Sequence, residues 1–154
     1  MKTNYIKLFF AAAAMCVLAA CGGSDVDPRD SFVGEYVYSS TGSAEIAVGP
    51  LKYTIPLDQT GTFTIIKEGE EDKVALVSQI DTIHATVSGK NMILELSALN
   101  TQTSGIDVRL TFDNNKATLA GTLLTWTSGV NAYATYSGIA ATGKGSVTVT
   151  ATKK

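Results

Sequence analysis

Beyond residue 31 the chain alternates apolar and polar side chains with a period of two. Ile106, Val108, Leu110 and Phe112 are separated by Asp107, Arg109 and Thr111. Met92, Leu94 and Leu96 alternate with Ile93, Glu95 and Ser97, and Val147, Val149 and Ala151 with Thr148, Thr150 and Thr152. Ile83, Ala85 and Val87 flank His84 and Thr86 in the same way. This is the pattern of strands that bury one face. The many threonines suit a pleated surface. Asp113-Asn114-Asn115 predicts a tight hairpin, because Asn tolerates positive φ. Ser88-Gly89-Lys90-Asn91 and Thr127-Ser128-Gly129 carry similar turn signals, and residues 68–72 read as an acidic hairpin loop. No amphipathic helix of useful length follows residue 20. Consecutive hairpins imply an all-β antiparallel meander of about eight to ten strands. A sheet of that size closes into a barrel or, as the alternative, splits into a two-sheet β-sandwich. Two long threonine-rich strands, residues 116–127 and 130–140, would suit a barrel wall.

The first 20 residues break this pattern. Lys2 and Lys7 precede an apolar run of 13 residues, 8–20. That run is short for a transmembrane helix, which needs about 20, and reads as a secretory signal. It ends Leu18-Ala19-Ala20-Cys21, which fits the bacterial lipobox. Small residues let the backbone lie in a peptidase groove. The Cys21 thiol then accepts a diacylglyceryl group as a thioether and becomes the acylated N-terminus. Cys16 leaves with the signal segment, so the mature chain contains no cysteine pair for a disulfide. Two or more acyl chains anchor stably, at about 0.8 kcal/mol per buried methylene. The expected organisation is a signal peptide over residues 1–20, a lipidated tether over 21–31 and one domain over 32–154. Gly22 in place of Asp favours outer-membrane sorting.

Cys21-Gly22-Gly23-Ser24-Asp25-Val26-Asp27, followed by Pro28-Arg29-Asp30-Ser31-Phe32-Val33-Gly34-Glu35-Tyr36, resembles the start of small surface lipoproteins of the Bacteroidota. In that group an acidic stretch after the lipid-bearing cysteine resembles an export signal to the outer face. The resemblance implies that role for Asp25, Asp27 and Asp30. Asp27 also fits an N-cap, with Pro28 as first residue of a short helical turn. Gly34-Glu35-Tyr36 is similar to the Gly-x-Trp that opens the first strand of lipocalins, with Tyr for Trp. That similarity implies a lipocalin-like barrel whose base is closed by the aromatic ring. The family arginine that stacks on the ring has no arginine counterpart in the last strand, which offers Lys144, Lys153 and Lys154.

Losing Lys2 and Lys7 reduces twelve cations to ten against fourteen acids, a net charge of about −4. A chain with that balance and no basic patch is not a nucleic-acid binder. His84 is the only histidine, too few for a metal cluster without cysteines. Ser78, His84 and Asp81 are near in sequence, but no Gly-x-Ser-x-Gly elbow accompanies them. Glu68, Glu70, Glu71 and Asp72 crowd one loop, whereas glycosidases hold two carboxyls across a bond. No catalytic set, metal site or cofactor is expected, and the chain is read as a non-enzyme. The aromatics suggest binding: Tyr36, Tyr38, Tyr53, Trp126, Tyr133 and Tyr136 could line a barrel and stack on a ligand. The expected function is an outer-membrane-anchored lipoprotein that binds a small apolar molecule or a glycan. The alternative is an envelope structural or protein-interaction lipoprotein, an inhibitor or assembly accessory, without a ligand.

Overall fold

The alternating segments form eleven strands and one antiparallel sheet in the computed structural model, which describes residues 26–136 and 138–154, Tyr136 by its backbone only. The strands are β1 (Gly34–Val48), β2 (Leu51–Pro56), β3 (Gln59–Lys67), β4 (Lys73–Val77), β5 (Thr82–Ser88) and β6 (Asn91–Leu94). They continue as β7 (Leu99–Thr103), β8 (Ile106–Asp113), β9 (Lys116–Ala120), β10 (Leu123–Tyr136) and β11 (Ile139–Lys153). Eight of them close a ring in the order β1-β3-β4-β5-β6-β9-β10-β11 and back to β1. The fold is an all-β meander closed into a barrel, not a sandwich.

Three strands are much longer than the barrel is tall. β1, β10 and β11 have 15, 14 and 15 residues, whereas β4, β5 and β6 have 5, 7 and 4. The overhang needs hydrogen-bond partners. β2 pairs with the far half of β1, and β8 pairs with the far half of β10 and with β7. The result is a second tier, a six-stranded sheet β2-β1-β11-β10-β8-β7, continuous with the barrel wall.

Two strand breaks make the count eleven rather than eight to ten. β2 and β3 keep one register along β1, with Pro56 opposite Ser43 and Gln59 opposite Ser40. The break is Leu57-Asp58, where Leu57 N–H still donates to the Gly42 carbonyl at 2.9 Å. β8 and β9 likewise both lie on β10, but the register slips by one. Asp113 faces Gly129 and Thr118 faces Thr125, so five residues cover four. The extra residue is a bulge at Asn114-Asn115, with Asn114 at φ 57°.

That finding corrects two turn expectations. Asp113-Asn114-Asn115 has the positive φ foreseen for it, but it bends one long strand and closes no hairpin. Thr127-Ser128-Gly129 is no turn either and runs through the middle of β10. Gly129 lies under the Asp113 side chain, whose carboxylate would stand 2.1 Å from an added Cβ. The chain reverses instead at Gly121-Thr122, with Gly121 at φ 64°. The strands expected over 116–127 and 130–140 are therefore Lys116–Ala120 and Leu123–Tyr136. The hairpin at Ser88-Gly89-Lys90-Asn91 and the acidic loop at 68–72 stand as expected.

One end of the barrel is stoppered by the lead-in segment. Pro28–Ser31 forms a 3-10 turn capped by Asp27, whose carboxylate accepts from Arg29 N–H at 2.9 Å. Phe32 then drops into the barrel end, fully buried, and the Tyr36 hydroxyl donates to its carbonyl at 2.8 Å. Lys67 Nζ pairs with Asp27 at 2.9 Å, and Lys153 Nζ donates to the Ser31 carbonyl at 3.2 Å. The polar stretch thus stops being a spacer at Asp27. Cys21, Asp25 and the signal segment lie outside the described residues.

Two apolar cores follow from the two tiers. The closed tier holds Phe32, Tyr36, Phe63, Ile65, Met92, Leu94 and their neighbours. The upper tier holds smaller residues, among them Ala44, Ile46, Val108, Ala132, Ala134 and Val147. Tyr38 and Trp126 pack against both.

Candidate binding site at the barrel mouth

Inward positions change character where the two tiers meet. Gln59, Ser40, Val149 and Trp126 stand side by side on β3, β1, β11 and β10. Gly61 faces Tyr38 across the β1–β3 pair. The Tyr38 ring lies on that glycine, whose missing Cβ would be 2.8 Å from the ring. The ring therefore hugs the wall and leaves the lumen open. Ser128, also inward, is fully buried and small.

This level holds a cavity of about 300 Å³. Its floor is Phe63, stacked on Tyr36 at 5.3 Å between centroids and tilted against Tyr38 at 5.8 Å. Its walls include Tyr38, Leu57, Phe112 and Trp126. It opens sideways because β4 and β5 end early. The rim is the β4–β5 turn, residues 78–81, together with the link from β6 to β7. The Ser78 hydroxyl ties that turn by donating to the Asp81 carbonyl at 2.9 Å and accepting from Asp81 N–H at 3.1 Å. Ile80, at the tip, is 91% exposed.

The lining is largely apolar and carries no lysine, arginine or histidine; its one charged side chain is Asp81 at the rim. Ser40 Oγ already donates to the Leu57 carbonyl at 2.7 Å. Ser128 Oγ approaches the Asn114 carbonyl at 3.5 Å, a long contact. Gln59 is thus the amide lining the cavity without a short hydrogen bond of its own among the described residues. A guest here would exchange water for aromatic and aliphatic contact and find a few neutral polar groups to orient it.

The aromatic residues named from sequence separate into different places. Tyr38 and Trp126 come together at the cavity. Tyr36 does not join them: it is sealed beneath Phe63, and burial pushes its hydroxyl pKa up. Its hydroxyl is spent on the Phe32 carbonyl inside the closed tier, and Lys153 reaches the Ser31 carbonyl rather than stacking on the ring. Tyr53 packs against the upper core and is absent from the cavity lining. Tyr133 points to the outer surface, because it is seven residues from Trp126 on one continuous strand and so on the opposite face. The Tyr136 side chain lies outside the described residues. Phe63, Leu57 and Phe112 were missed, although their inward parity beside Tyr38 and Leu110 could have marked them.

The groups nearest to a catalytic set in sequence are engaged elsewhere. His84 faces outward, and its Nδ1 lies 2.8 Å from Glu68 Oε1. Ser78 ties its own turn, and Asp81 Oδ1 accepts from Thr82 N–H at 2.8 Å. These three side chains make no relay with one another. Among the described residues no three His, Cys, Asp or Glu side chains gather in a way that could hold a metal ion.

Comparison with known proteins adds little to this geometry. No protein-family model matches the chain, and no curated protein matches it. Among solved structures it is similar to the ywiB protein from Bacillus subtilis, at 12% identity and a TM-score of 0.34, over 78% of this chain and 93% of that one.

Proposed function

We propose that this chain is a lipid-anchored binding protein of the outer membrane that holds a small, neutral, largely apolar molecule in the barrel mouth. The observation that supports it is the cavity of about 300 Å³ between the two cores, walled by Tyr38 and Trp126. Its volume is at the small end of the range for ligand sites, about 300–1,000 Å³. The lack of a basic lining side chain argues against a carboxylate guest, since a buried anion needs a cation or several donors. The lipobox at Cys21 supports the anchor, and the acids Asp25, Asp27 and Asp30 support display on the outer face.

Trp126 is the only tryptophan, so its emission reports on the cavity without interference. Titration of the full chain with retinol and with palmitate tests both the pocket and its charge preference. Retinol should shift or quench Trp126 saturably, and palmitate should bind at least about tenfold more weakly. Retention of the retinol effect in Tyr38→Ala at unchanged affinity would locate the guest elsewhere. The anchor has its own test: Cys21→Ser should move the protein out of the membrane fraction and abolish incorporation of labelled palmitate.

A further inference from the structure

The outer face of the upper tier has a feature that the mouth cavity does not explain. Thr142, Tyr133, Arg109 and Asn100 form one outward row across β11, β10, β8 and β7. Strands are about 4.8 Å apart, so the row is roughly 14 Å long. One step along each strand on the same face come Thr135, Asp107 and Gln102. These residues line an open depression of about 900 Å³. Tyr133 is 47% exposed in the middle of it. Elsewhere the outer faces of β10 and β11 carry mainly Thr, Ser, Asn and Lys, so a half-exposed ring here is distinctive.

The groups around the ring are complementary to hydroxyls. Arg109 makes no ion pair with a described residue, and its guanidinium can only donate. Asp107 can only accept, and Gln102 Nε2 holds it at 2.6 Å. Asn100 and Gln102 do both. A sugar hydroxyl is donor and acceptor at once, and a pyranose ring has an apolar face that suits a tyrosine. The depression holds one cation and one anion, and the mature chain is acidic. Neither favours a charged guest.

We propose that this face is a second binding site, for a neutral oligosaccharide that stacks on Tyr133 and is held by Arg109, Asp107 and Asn100. It is independent of the barrel mouth, because Tyr133 and Trp126 lie on opposite sides of β10. The two sites would let an anchored protein hold a glycan chain outside while a small molecule occupies the barrel.

The test is calorimetric titration of the full chain, in detergent micelles, with the hexasaccharides of cellulose, xylan, starch and mannan, and with hexagalacturonate as the acidic comparator. At least one neutral hexasaccharide should bind saturably. Tyr133→Ala should weaken it about tenfold or more, and Arg109→Ala about three- to tenfold. Tyr133→Phe should keep most of the affinity, and so should Trp126→Phe, which alters the barrel mouth instead. The proposal is overturned if no neutral hexasaccharide binds, if Tyr133→Ala changes nothing, or if hexagalacturonate binds more tightly than every neutral chain. Retinol binding that survives Tyr133→Ala would show that the mouth works whatever the fate of this face.

Discussion

The closed tier and the upper tier are made from the same long strands, yet they are packed on different principles. The closed tier has a complete ring of strands and fills its interior with large side chains: Phe32, Tyr36, Phe63, Ile65, Met92 and Leu94. The upper tier has two edges, since β2 pairs with β1 alone and β7 with β8 alone. It buries its inner face with aliphatic residues from Ala44 and Ala132 to Ile46 and Leu110, without a fully buried aromatic ring, and with backbone pressed on backbone. Gly145 and Gly143 on β11 lie so close to β1 that an added Cβ would stand 2.0 Å and 1.9 Å from the Ser43 and Glu45 carbonyl oxygens. The cavity sits where one way of packing gives over to the other. The lesson is that a cavity can arise at a mismatch, where Tyr38 and Trp126 touch both cores without filling the space between them.

If this contrast holds, the closed tier fails on truncation and the upper tier fails on enlargement. Phe32→Ala should cost about 3–5 kcal/mol, because it removes the stopper and leaves a void that the closed ring cannot collapse into. Denaturant unfolding checks it, and a cost below about 1 kcal/mol would show that the stopper is loosely seated. Gly145→Val should cost about 3 kcal/mol, since the clash is with backbone rather than with a flexible side chain. Gly69→Ala in the β3–β4 loop is the control. Nothing lies within 4 Å of its added Cβ, and the change should stay within about 0.5 kcal/mol.

The glycines also show where the sequence is easy to read and where it is not. Alternation assigned the buried faces of β5, β6, β8 and β11 correctly, because a half-buried strand repeats every two residues. Asp27 and Pro28 announced their cap, because capping chemistry is local. Gly129, by contrast, looks like a turn and lies under Asp113, which faces it from β8. Asn114 looks like a hairpin and is a bulge. Both errors have one cause: a positive φ or a missing Cβ is visible in sequence, but the partner strand that uses it is not. The errors then spread to the site. A turn at residues 127–129 would leave the faces of Trp126 and Tyr133 unrelated, so the sequence offers no reason to separate them. Read as one strand, Leu123–Tyr136 puts them on opposite faces. Closure of the barrel from pairs of distant strands, β1 with β11 above all, has no local signal.

Edges should also separate the tiers in time. Amide exchange under native conditions should be faster at β2 and β7 than along Gly143–Thr152 of β11, where both sides of the strand are paired. Equal protection along β2 and that part of β11 would mean that something else covers the upper edge.

The smaller effects lie in the stopper itself and are set by pH. Tyr36→Phe removes one buried hydrogen bond to Phe32 and should cost about 1 kcal/mol at neutral pH. Its hydroxyl pKa is raised by burial, so the folded state resists losing that proton. The resulting stabilisation is complete below the ordinary tyrosine value, near 10, and is lost as pH rises beyond it. Tyr36→Phe should therefore flatten the alkaline limb of the stability curve. Asp27 has the opposite sign. Hydrogen bonds from Arg29 first and then Lys67 hold its carboxyl well below the usual carboxylate range. Its contribution is present above its ordinary value of 3.8 and is lost as pH falls below it. Asp27 is partly exposed, so salt screens the pair and the effect is small. Asp27→Asn should leave the barrel folded at pH 7 but free the 3-10 turn, read as faster amide exchange at Arg29 and Asp30. It should also remove the wild-type loosening of that turn between about pH 4 and pH 2. An unchanged exchange rate at pH 7 would mean that Phe32 alone seats the stopper and that the charges around it are decoration.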